Sequence, residues 1–339
     1  MTPFAFVEAR SLAEAAAAGS ATVTDAMVAA PGTASVIKAG GIDLLGLMKE
    51  ELLAPARIVN LRHVPGLSAI TTASDGALRI GAAATLAEIA GHADIRARYQ
   101  ALAEAAARVG SPQIRNVGTI GGNLLQRPRC WYFRSTQHLC TRKGGTTCFA
   151  FGGENKYHAI FDHHGCAIVH PSSVASVLVA FGAVIRLAGA QGAARDVTLE
   201  DFFVLPEIDP HRENRLAAGE VVSEIVLPSG APTRRSVYLA RSERASFDWP
   251  LADVAVVADF AADGRCADAA IVLGAAAPVP HRARAAEAAL KGKRIDRNAA
   301  AAAATAALVD AAPLSQNGYK LPLFQALITD AVLTVGGRT

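Results

Sequence analysis

Short apolar runs alternate with helical apolar spacing along the first 125 residues of the chain. Capping-box spacing, in which a Ser or Thr is followed three residues later by a Glu, predicts helices that begin just after Ser11 and Thr85. Two strand-like runs flank Asp75–Gly76, which indicates a hairpin within residues 69–83. The same periodicities predict strands at 35–38 and 57–61 and helices at 42–50 and 94–109, the last of which ends at Gly110.

The segment from Gln126 to Ala167 interrupts this rhythm, because it sustains neither the strand period nor the helix period. A long segment without secondary structure of its own is typical of a functional loop or of disorder. Periodicity resumes at 173–181, a predicted helix, and a Pro- and Gly-rich linker follows at 227–232. Beyond the linker the pattern predicts strands at 236–241, 254–260 and 269–273 and helices at 282–291, 298–311 and 321–335.

Composition limits the possible classes of protein. A chain of 339 residues favours two or three domains, and 51% hydrophobic with 19% charged residues excludes general disorder. The net charge of +3 is too small to indicate a nucleic-acid partner. The N-terminus has no signal-peptide pattern, and no run of 18 apolar residues predicts a membrane span. We therefore expect a protein made in the cytoplasm.

Four of the five cysteines lie within 37 residues, with the spacing C-x9-C-x7-C-x17-C: Cys130, Cys140, Cys148 and Cys166. In a cytosolic protein such a group more often binds metal than forms disulfides. Structural zinc sites usually pair their ligands as C-x2–4-C, which this spacing lacks, so it favours an iron–sulfur cluster without excluding zinc. Four unligated structural cysteines are a third interpretation. The remaining Cys266 is expected to be a small buried apolar residue.

Two glycine-rich turns, at residues 38–44 and 116–123, each place adjacent glycines between ordered segments. Glycine pairs let backbone N–H groups close on a phosphate. Neither turn fits G-x-G-x-x-G or a P-loop, and each alone is compatible with a purely structural turn. The occurrence of two such turns, one of them leading into a predicted helix N-terminus, favours a dinucleotide site.

These two turns resemble the paired FAD pyrophosphate loops of the medium subunits of molybdenum hydroxylases. That family includes the flavoprotein subunits of xanthine dehydrogenase, carbon monoxide dehydrogenase and bacterial aldehyde oxidoreductases. The string Arg-Asn-x-Gly-Thr-Ile-Gly-Gly-Asn at 115–123 is the most specific part of the resemblance. Residues 219–228 and 317–323 also resemble family segments, so the likeness covers nearly the whole chain.

The resemblance implies an α+β fold. A vanillyl-alcohol-oxidase (PCMH)-type FAD-binding domain of two lobes would span residues 1–228, and a small α/β C-terminal flavoprotein domain would span 233–337. Carried over position by position, it implies that FAD is held by Lys38, Ala39, Gly40, Gly41, Ile42, Asp43, Leu44, Thr85, Gly118, Thr119, Ile120, Gly121, Gly122, Asn123, Ser173 and Val222. The helix N-cap is the simpler role for Thr85, and Ser173 stands where many relatives have an Asp. Ala240 or Arg241 stands where some have a Lys.

The irregular segment, residues 126–167, is an insertion that most family members lack. It is similar to the insertion of a minority branch, which includes periplasmic aldehyde oxidoreductases and 4-hydroxybenzoyl-CoA reductases and whose flavoprotein subunit carries an extra [4Fe–4S] cluster. By this resemblance the four cysteines ligate that cluster. The segments Cys-Trp-Tyr-Phe-Arg and Gly-Gly-Glu-Asn-Lys-Tyr-His are closer to the aldehyde oxidoreductases.

The resemblance therefore implies an electron-transfer subunit of a molybdenum-dependent aldehyde oxidoreductase, with no catalytic acid or base of its own. A molybdopterin-binding large subunit and a small subunit with two [2Fe–2S] clusters would complete a heterotrimer or a dimer of heterotrimers. Electrons would pass through FAD to an external acceptor. In the periplasmic case a partner with a twin-arginine signal would carry the folded chain across the membrane.

Three alternatives stay open. The chain is also compatible with a self-sufficient flavin oxidase or reductase, which would turn over substrate alone. A second alternative is the FAD subunit of a hydroxybenzoyl-CoA reductase or a xanthine dehydrogenase-type complex. The third is a zinc-stabilised scaffold without enzymatic activity.

Overall fold

The computed structural model of the chain describes residues 2–245 and 247–337 and contains three β-sheets. The first sheet is parallel, with the strand order β1-β3-β2: β1 (Ala5–Glu8), β2 (Ser35–Lys38) and β3 (Arg57–Asn60). Helices α1 (Leu12–Ala18), α2 (Val23–Val28) and α3 (Ile42–Lys49) connect these strands. Apolar residues of this lobe pack with Phe133 and Cys140 of the insertion in one small core.

The second sheet is antiparallel, with the order β4-β5-β8-β6-β7. Its strands are β4 (Ile70–Thr72), β5 (Leu78–Gly81), β6 (Val184–Ala188), β7 (Ala194–Thr198) and β8 (Val221–Leu227). The helices of this lobe are α4 (Leu86–Gly91), α5 (Ala93–Arg98), α6 (Gln100–Arg108), α7 (Pro112–Val117), α8 (Ile120–Leu124), α9 (Ser173–Ala180) and α10 (Leu199–Phe202).

The third sheet is antiparallel, with the order β12-β11-β10-β9. It consists of β9 (Arg235–Arg241), β10 (Ala252–Phe260), β11 (Cys266–Gly274) and β12 (His281–Arg282). Helices α11 (Arg284–Leu290), α12 (Arg297–Ala306) and α13 (Lys320–Val335) belong to the same part of the chain. The core of this part includes Cys266, which is fully buried as expected.

The predicted helix at 94–109 is wrong in one respect, because the structure divides it into α5 and α6 at Tyr99. The backbone of Tyr99 leaves the helical region, with φ −134° and ψ 49°. Its ring is buried against Phe181 at a centroid distance of 5.2 Å, and its hydroxyl donates to the carbonyl of Pro228 at 3.0 Å. These contacts are long-range, so the local apolar spacing does not reveal the break.

The insertion lacks regular secondary structure, as its missing period predicts. Within residues 126–167 the structure assigns a single 3-10 turn at Thr141–Lys143. Most other predicted elements are confirmed to within two or three residues, including the hairpin about Asp75–Gly76. The periodicities give no prediction for β1, α2, β7, α10 and β12, and they place a turn across α7 and α8. The helix predicted at 298–311 extends five residues beyond the end of α12 at Ala306. Within the described ranges no helix is long and apolar enough to cross a membrane.

Candidate functional sites

A cavity of about 420 Å³ lies where the first two sheets, the insertion and the loop after β9 meet. The structure brings most of the predicted FAD residues to its wall: Lys38, Ala39, Gly40, Gly41, Ile42, Asp43, Leu44, Gly118, Thr119, Gly121, Gly122, Asn123, Ser173 and Val222. The two glycine-rich turns, far apart in the sequence, therefore face the same space.

Two predicted residues do not line this cavity. Ile120 is fully buried in the second-lobe core, where its backbone N–H donates to the carbonyl of Ala84 at 2.9 Å. Thr85 is the N-cap of α4, and its hydroxyl is engaged with Glu88 in a complete capping box. These contacts give both residues structural roles away from the cavity wall.

The two glycine-rich turns are packed directly against each other. A Cβ atom at Gly40 would lie 2.2 Å from the carbonyl oxygen of Val117, a distance no side chain can occupy. Gly41 has φ +85° and caps the N-terminus of α3. Glycine is needed at both positions, at the first for close approach and at the second for the left-handed backbone.

The second turn has few N–H groups to offer a ligand. The backbone N–H groups of Ile120 and Gly121 donate to Ala84 and Ala82 carbonyls, and that of Gly122 donates to the Thr119 hydroxyl. In contrast, no protein acceptor within the described chain takes the N–H groups of Gly40, Gly41 and Ile42. The first turn of α3 is thus the better anion-binding element.

Basic side chains surround the same cavity. Lys38, Arg108, Arg127 and Arg129 line it. The Lys38 ammonium donates to Asn60 Oδ1 and to the Ala39 carbonyl, each at 3.0 Å, and burial lowers its pKa. Asp43, Glu220 and Asp248 also line the cavity, so the four cationic residues offset these carboxylates and leave one positive charge in excess for an anionic ligand such as a pyrophosphate.

The carboxylate of Asp43 is occupied by the insertion. It accepts from the backbone N–H of Arg127 at 2.7 Å and pairs with Arg134 at 2.6 Å and Arg129 at 3.0 Å. The side chain therefore anchors the insertion beside the first glycine-rich turn. Any contribution of Asp43 to ligand binding falls to its backbone.

Ser173 lies on the cavity wall but its hydroxyl faces the protein interior. It is 3.4 Å from Oδ2 of Asp253, a fully buried carboxyl on β10. Burial raises the pKa of Asp253 to about 7, although nearby Ser176 and Ser173 hydroxyls act in the opposite direction. The carboxyl group at this corner thus comes from β10.

Several parts of the cavity wall were not predicted from the sequence, among them residues 21–24, 214, 216 and 217. The Arg108–Ser111 loop, between α6 and α7, lines the cavity although no motif marks it. Residues 247–250 line the cavity from the side of the third sheet, a few positions after Ala240 and Arg241. The Trp249 ring stacks beneath the Arg129 guanidinium at 5.0 Å, so the insertion contacts this loop.

The four clustered cysteines line a second, much smaller cavity of about 10 Å³, together with Phe133, Arg142 and His158 among others. All five cysteines of the chain are free thiols. Backbone N–H groups oppose the effect of burial on the thiol pKa, those of Phe133 and Tyr132 at Cys130 and that of Ile168 at Cys166. The irregular backbone of the insertion is thus folded around its sulfur atoms.

The thiols differ in their acidity. Burial raises the pKa of Cys130 to about 11. A hydrogen bond between the thiols of Cys148 and Cys166 lowers the pKa of Cys148 to about 6 and raises that of Cys166. Cys148 and Cys166 line the same small cavity, which is compatible with a shared ligand.

Positively charged and N–H groups face the sulfur atoms. Nε2 of His158 lies 3.2 Å from Sγ of Cys130, and burial lowers the pKa of this imidazole to about 4. The guanidinium of Arg142 is fully buried, and its Nε and Nη2 atoms find no acceptor in the described chain. No three His, Cys, Asp or Glu side chains of residues 2–245 and 247–337 are arranged to hold a single metal ion. Four thiols and unused donors around one cavity fit an anionic, sulfur-containing group.

Comparison with known protein families gives two matches that together span most of the chain. Residues 2–230 match the FAD binding domain in molybdopterin dehydrogenase. Residues 238–335 match the CO dehydrogenase flavoprotein C-terminal domain.

Known relatives agree with these matches. The chain is 33% identical over 287 residues to the aldehyde oxidoreductase FAD-binding subunit PaoB of Escherichia coli (strain K12), covering 84% of this chain and 86% of PaoB. It is 28% identical over 309 residues to the nicotine 6-hydroxylase medium subunit of Paenarthrobacter nicotinovorans, covering 90% and 91%. A solved carbon monoxide dehydrogenase structure from Hydrogenophaga pseudoflava superposes with a TM-score of 0.74 at 25% identity, covering 100% of this chain and 99% of that chain.

Proposed function

Because the chain belongs to the family of FAD binding domains in molybdopterin dehydrogenase, we propose that it is the FAD-carrying electron-transfer subunit of a molybdenum-dependent aldehyde oxidoreductase. The observation that carries the aldehyde assignment is the 33% identity to PaoB across 84% of the chain. Residues 1–228 form the FAD-binding domain in this proposal, with the insertion at 126–167, and 233–337 form the C-terminal flavoprotein domain.

FAD occupies the cavity of about 420 Å³. The first turn of α3, the glycines of both turns and the cations Lys38, Arg108 and Arg127 hold its pyrophosphate and ribose. Thr119, Asn123, Ser173 and Val222 complete the wall around the cofactor. FAD accepts electrons in pairs or singly, and so it links one-electron carriers to an external acceptor.

A [4Fe–4S] cluster is held by Cys130, Cys140, Cys148 and Cys166 in this proposal. Support comes from the shared cavity of the four thiols and from the buried donors that face it. The cluster supplies one-electron transfer, whereas the chain supplies thiolate ligands and N–H groups that stabilise their negative charge.

The partners are a molybdopterin-binding large subunit and a small subunit with two [2Fe–2S] clusters, in a heterotrimer or a dimer of heterotrimers. We place the complex in the cytoplasm, with co-export to the periplasm by a twin-arginine partner as the alternative.

Anaerobic purification followed by absorption spectroscopy and by iron, zinc and flavin analysis tests the two cofactors. We expect one FAD and four iron atoms per chain. Cys148→Ser should remove most of the iron and its absorbance while the flavin bands stay, because the thiols and the FAD cavity are separate. Cys266→Ala, at a buried thiol of the third-sheet core, is the matched control and should keep both.

Other results would point elsewhere. Colourless wild-type protein with one zinc per chain would contradict the proposal and favour the scaffold. Aldehyde turnover by the isolated chain would favour a self-sufficient flavin enzyme.

A further inference from the structure

A buried triad of charges lies between the FAD cavity and the cysteine cavity. Arg127 lines the first cavity and Arg142 lines the second. Glu213 pairs with both, through Oε1 to Nη1 of Arg142 at 2.8 Å and through Oε2 to Nε of Arg127 at 3.2 Å. A single carboxylate therefore joins the walls of the two sites.

All three side chains are almost completely removed from solvent, with exposures of 0% for Arg142 and 3% for Arg127 and Glu213. A buried triad of two cations and one anion carries one uncompensated positive charge. Arg142 lies two positions from Cys140 and lines the cavity of the four thiols. The charge of Arg142 is thus held where the thiols are.

The donors of Arg142 are also incompletely used. Nη1 bonds to Glu213, whereas Nε and Nη2 are buried without an acceptor in the described chain. An unsatisfied buried N–H costs free energy, so its presence in a cavity wall points to an acceptor that the protein itself does not supply. Arg127 is better satisfied, because its two Nη atoms bond to Thr24 and to the carbonyl of His211, and its Nε is the single one of its donors that lacks a hydrogen bond in the described chain.

From this arrangement we propose that Arg142 is a positioning residue that sets the reduction potential of the cluster at the four cysteines. Glu213 weakens the effect of the Arg142 charge and couples the cluster electrostatically to Arg127 at the FAD cavity. This inference rests on the proposed function, because it requires a redox cluster at the thiols. It adds a role for three residues that lie outside the predicted cofactor ligands.

The sign of the effect follows from electrostatics. One-electron reduction adds a negative charge to the cluster, and a buried cation beside it favours the reduced state. The interaction is weakly screened because solvent does not reach the triad. Removing the charge of Arg142 should therefore lower the potential, and neutralising Glu213 should raise it.

The test is an anaerobic redox titration of the full-length chain, with the cluster followed by electron paramagnetic resonance and the flavin by absorption. The variants are Arg142→Met, Arg142→Lys and Glu213→Gln. Arg134→Met is the control, because Arg134 belongs to the same insertion but pairs with Asp43 and Glu50 and does not line the cysteine cavity. Iron content is measured for each protein.

We expect Arg142→Met to lower the equilibrium constant for one-electron reduction of the cluster at least tenfold, a shift of about 59 mV. Arg142→Lys should recover more than half of this shift. Glu213→Gln should shift the cluster in the opposite direction and raise the flavin potential as well. Arg134→Met should change the equilibrium constant for reduction of the cluster less than threefold.

The outcomes separate the two levels of the proposal. Wild-type protein without a titratable iron–sulfur signal would overturn the proposed function itself. A normal wild-type cluster whose potential is the same in Arg142→Met would overturn only this inference and leave Arg142 a structural role. The same conclusion follows if Arg142→Met and Glu213→Gln shift the potential in the same direction. Removing a positive and a negative charge must shift the potential in opposite directions, whereas loosened packing would shift it the same way in both variants.

Discussion

At the scale of single residues, a buried carboxyl supports the wall of the larger cavity. Asp253 is paired with Gly274 on the neighbouring strand, and its Oδ1 lies only 2.1 Å from where a Cβ of that glycine would be. The glycine thus makes room for the carboxyl group. Oδ1 has no hydrogen-bond partner in the described chain, in agreement with a group that burial keeps protonated up to about pH 7.

This residue makes the stability of the chain depend on pH. The pKa of Asp253 in the folded state, about 7, lies above its ordinary value of 3.8. At a pH between these two values, the folded state therefore still binds a proton that the unfolded state has released. Its contribution to the free energy of unfolding therefore falls as the pH rises from 4 to 7, by about 1.4 kcal/mol per pH unit. Asp253→Asn should remove this dependence.

Urea unfolding of the wild type and Asp253→Asn at several pH values checks this prediction. The difference between the two proteins reports Asp253 together with Lys320, whose pKa burial lowers and the Asp253 carboxylate raises, because the remaining titrating groups are common to both. The variant should become relatively more stable as the pH rises to 7, with no further gain above. Asp310→Asn, at an exposed position, controls for the change to an amide. A constant difference from pH 4 to pH 8 would contradict the assignment.

Single residues also differ in whether their role can be predicted from the sequence. The four clustered cysteines are visible as a group in the sequence, and their placement in one irregular segment predicts a shared ligand. Arg142 and Glu213 carry no such signal, since they are 71 positions apart and arginine or glutamate is ordinarily exposed. Only the fold buries them together.

At the scale of elements, the FAD cavity depends on the contact between the two glycine-rich turns. Gly40→Val would place a branched side chain where Val117 and Gly118 now lie. The two glycine-rich turns would separate, and the first turn of α3 would lose its position relative to residues 116–123 on the opposite side of the cavity. We expect FAD binding to weaken at least tenfold, whereas iron content should stay close to that of the wild type.

Gly46→Ala provides a matched control within α3. A Cβ there meets nothing nearer than Nη1 of Arg134, at 3.9 Å, and alanine favours the helix. Flavin-to-protein ratios and fluorescence titration with FAD give the comparison. Equal FAD affinity in both variants would show that the contact between the turns does not matter for the cofactor.

The elements divide into those that local patterns predict and those that they do not. Strand β2 and helix α3 are predicted almost to the residue, because apolar spacing and a glycine turn define them. The break at Tyr99 and strand β1 are different. The first depends on burial of one ring, and the second is a four-residue edge strand whose residues are mostly exposed. Neither has a periodic signal.

At the scale of the whole molecule, the insertion binds both the first lobe and the third-sheet part of the chain. Asp43 anchors it on one side through Arg134 and Arg129. On the other side, the backbone of Ile160 donates to Ala276 at 2.8 Å and accepts from Ala312 at 2.7 Å. The cysteine cavity therefore lies where the insertion meets both the first lobe and the third-sheet part of the chain.

Polar residues at and just before the start of α13 hold the contact between the insertion and the third-sheet part of the chain. The buried Lys320 ammonium donates to the carbonyls of His158 at 2.9 Å and Ala275 at 2.7 Å. Asn317 is fully buried, donates to the carbonyls of His158 and Ala159 at 3.1 Å each, and accepts from the N–H of Leu314 at 2.6 Å. The chain segment that follows Cys148 is thus fixed by side chains about 160 positions away.

Asn317→Leu should loosen this junction, because it removes the partner of the Ala159 carbonyl and of the Leu314 N–H while both stay buried. Such losses cost roughly 2–4 kcal/mol in the free energy of unfolding. Amide hydrogen exchange should rise first in residues 155–167, with the first sheet unchanged, and iron should be lost faster on exposure to air. Asn298→Ala, at an exposed position of α12, is the control. If exchange rises equally in all three sheets, Asn317 supports global stability instead of the docking of the insertion.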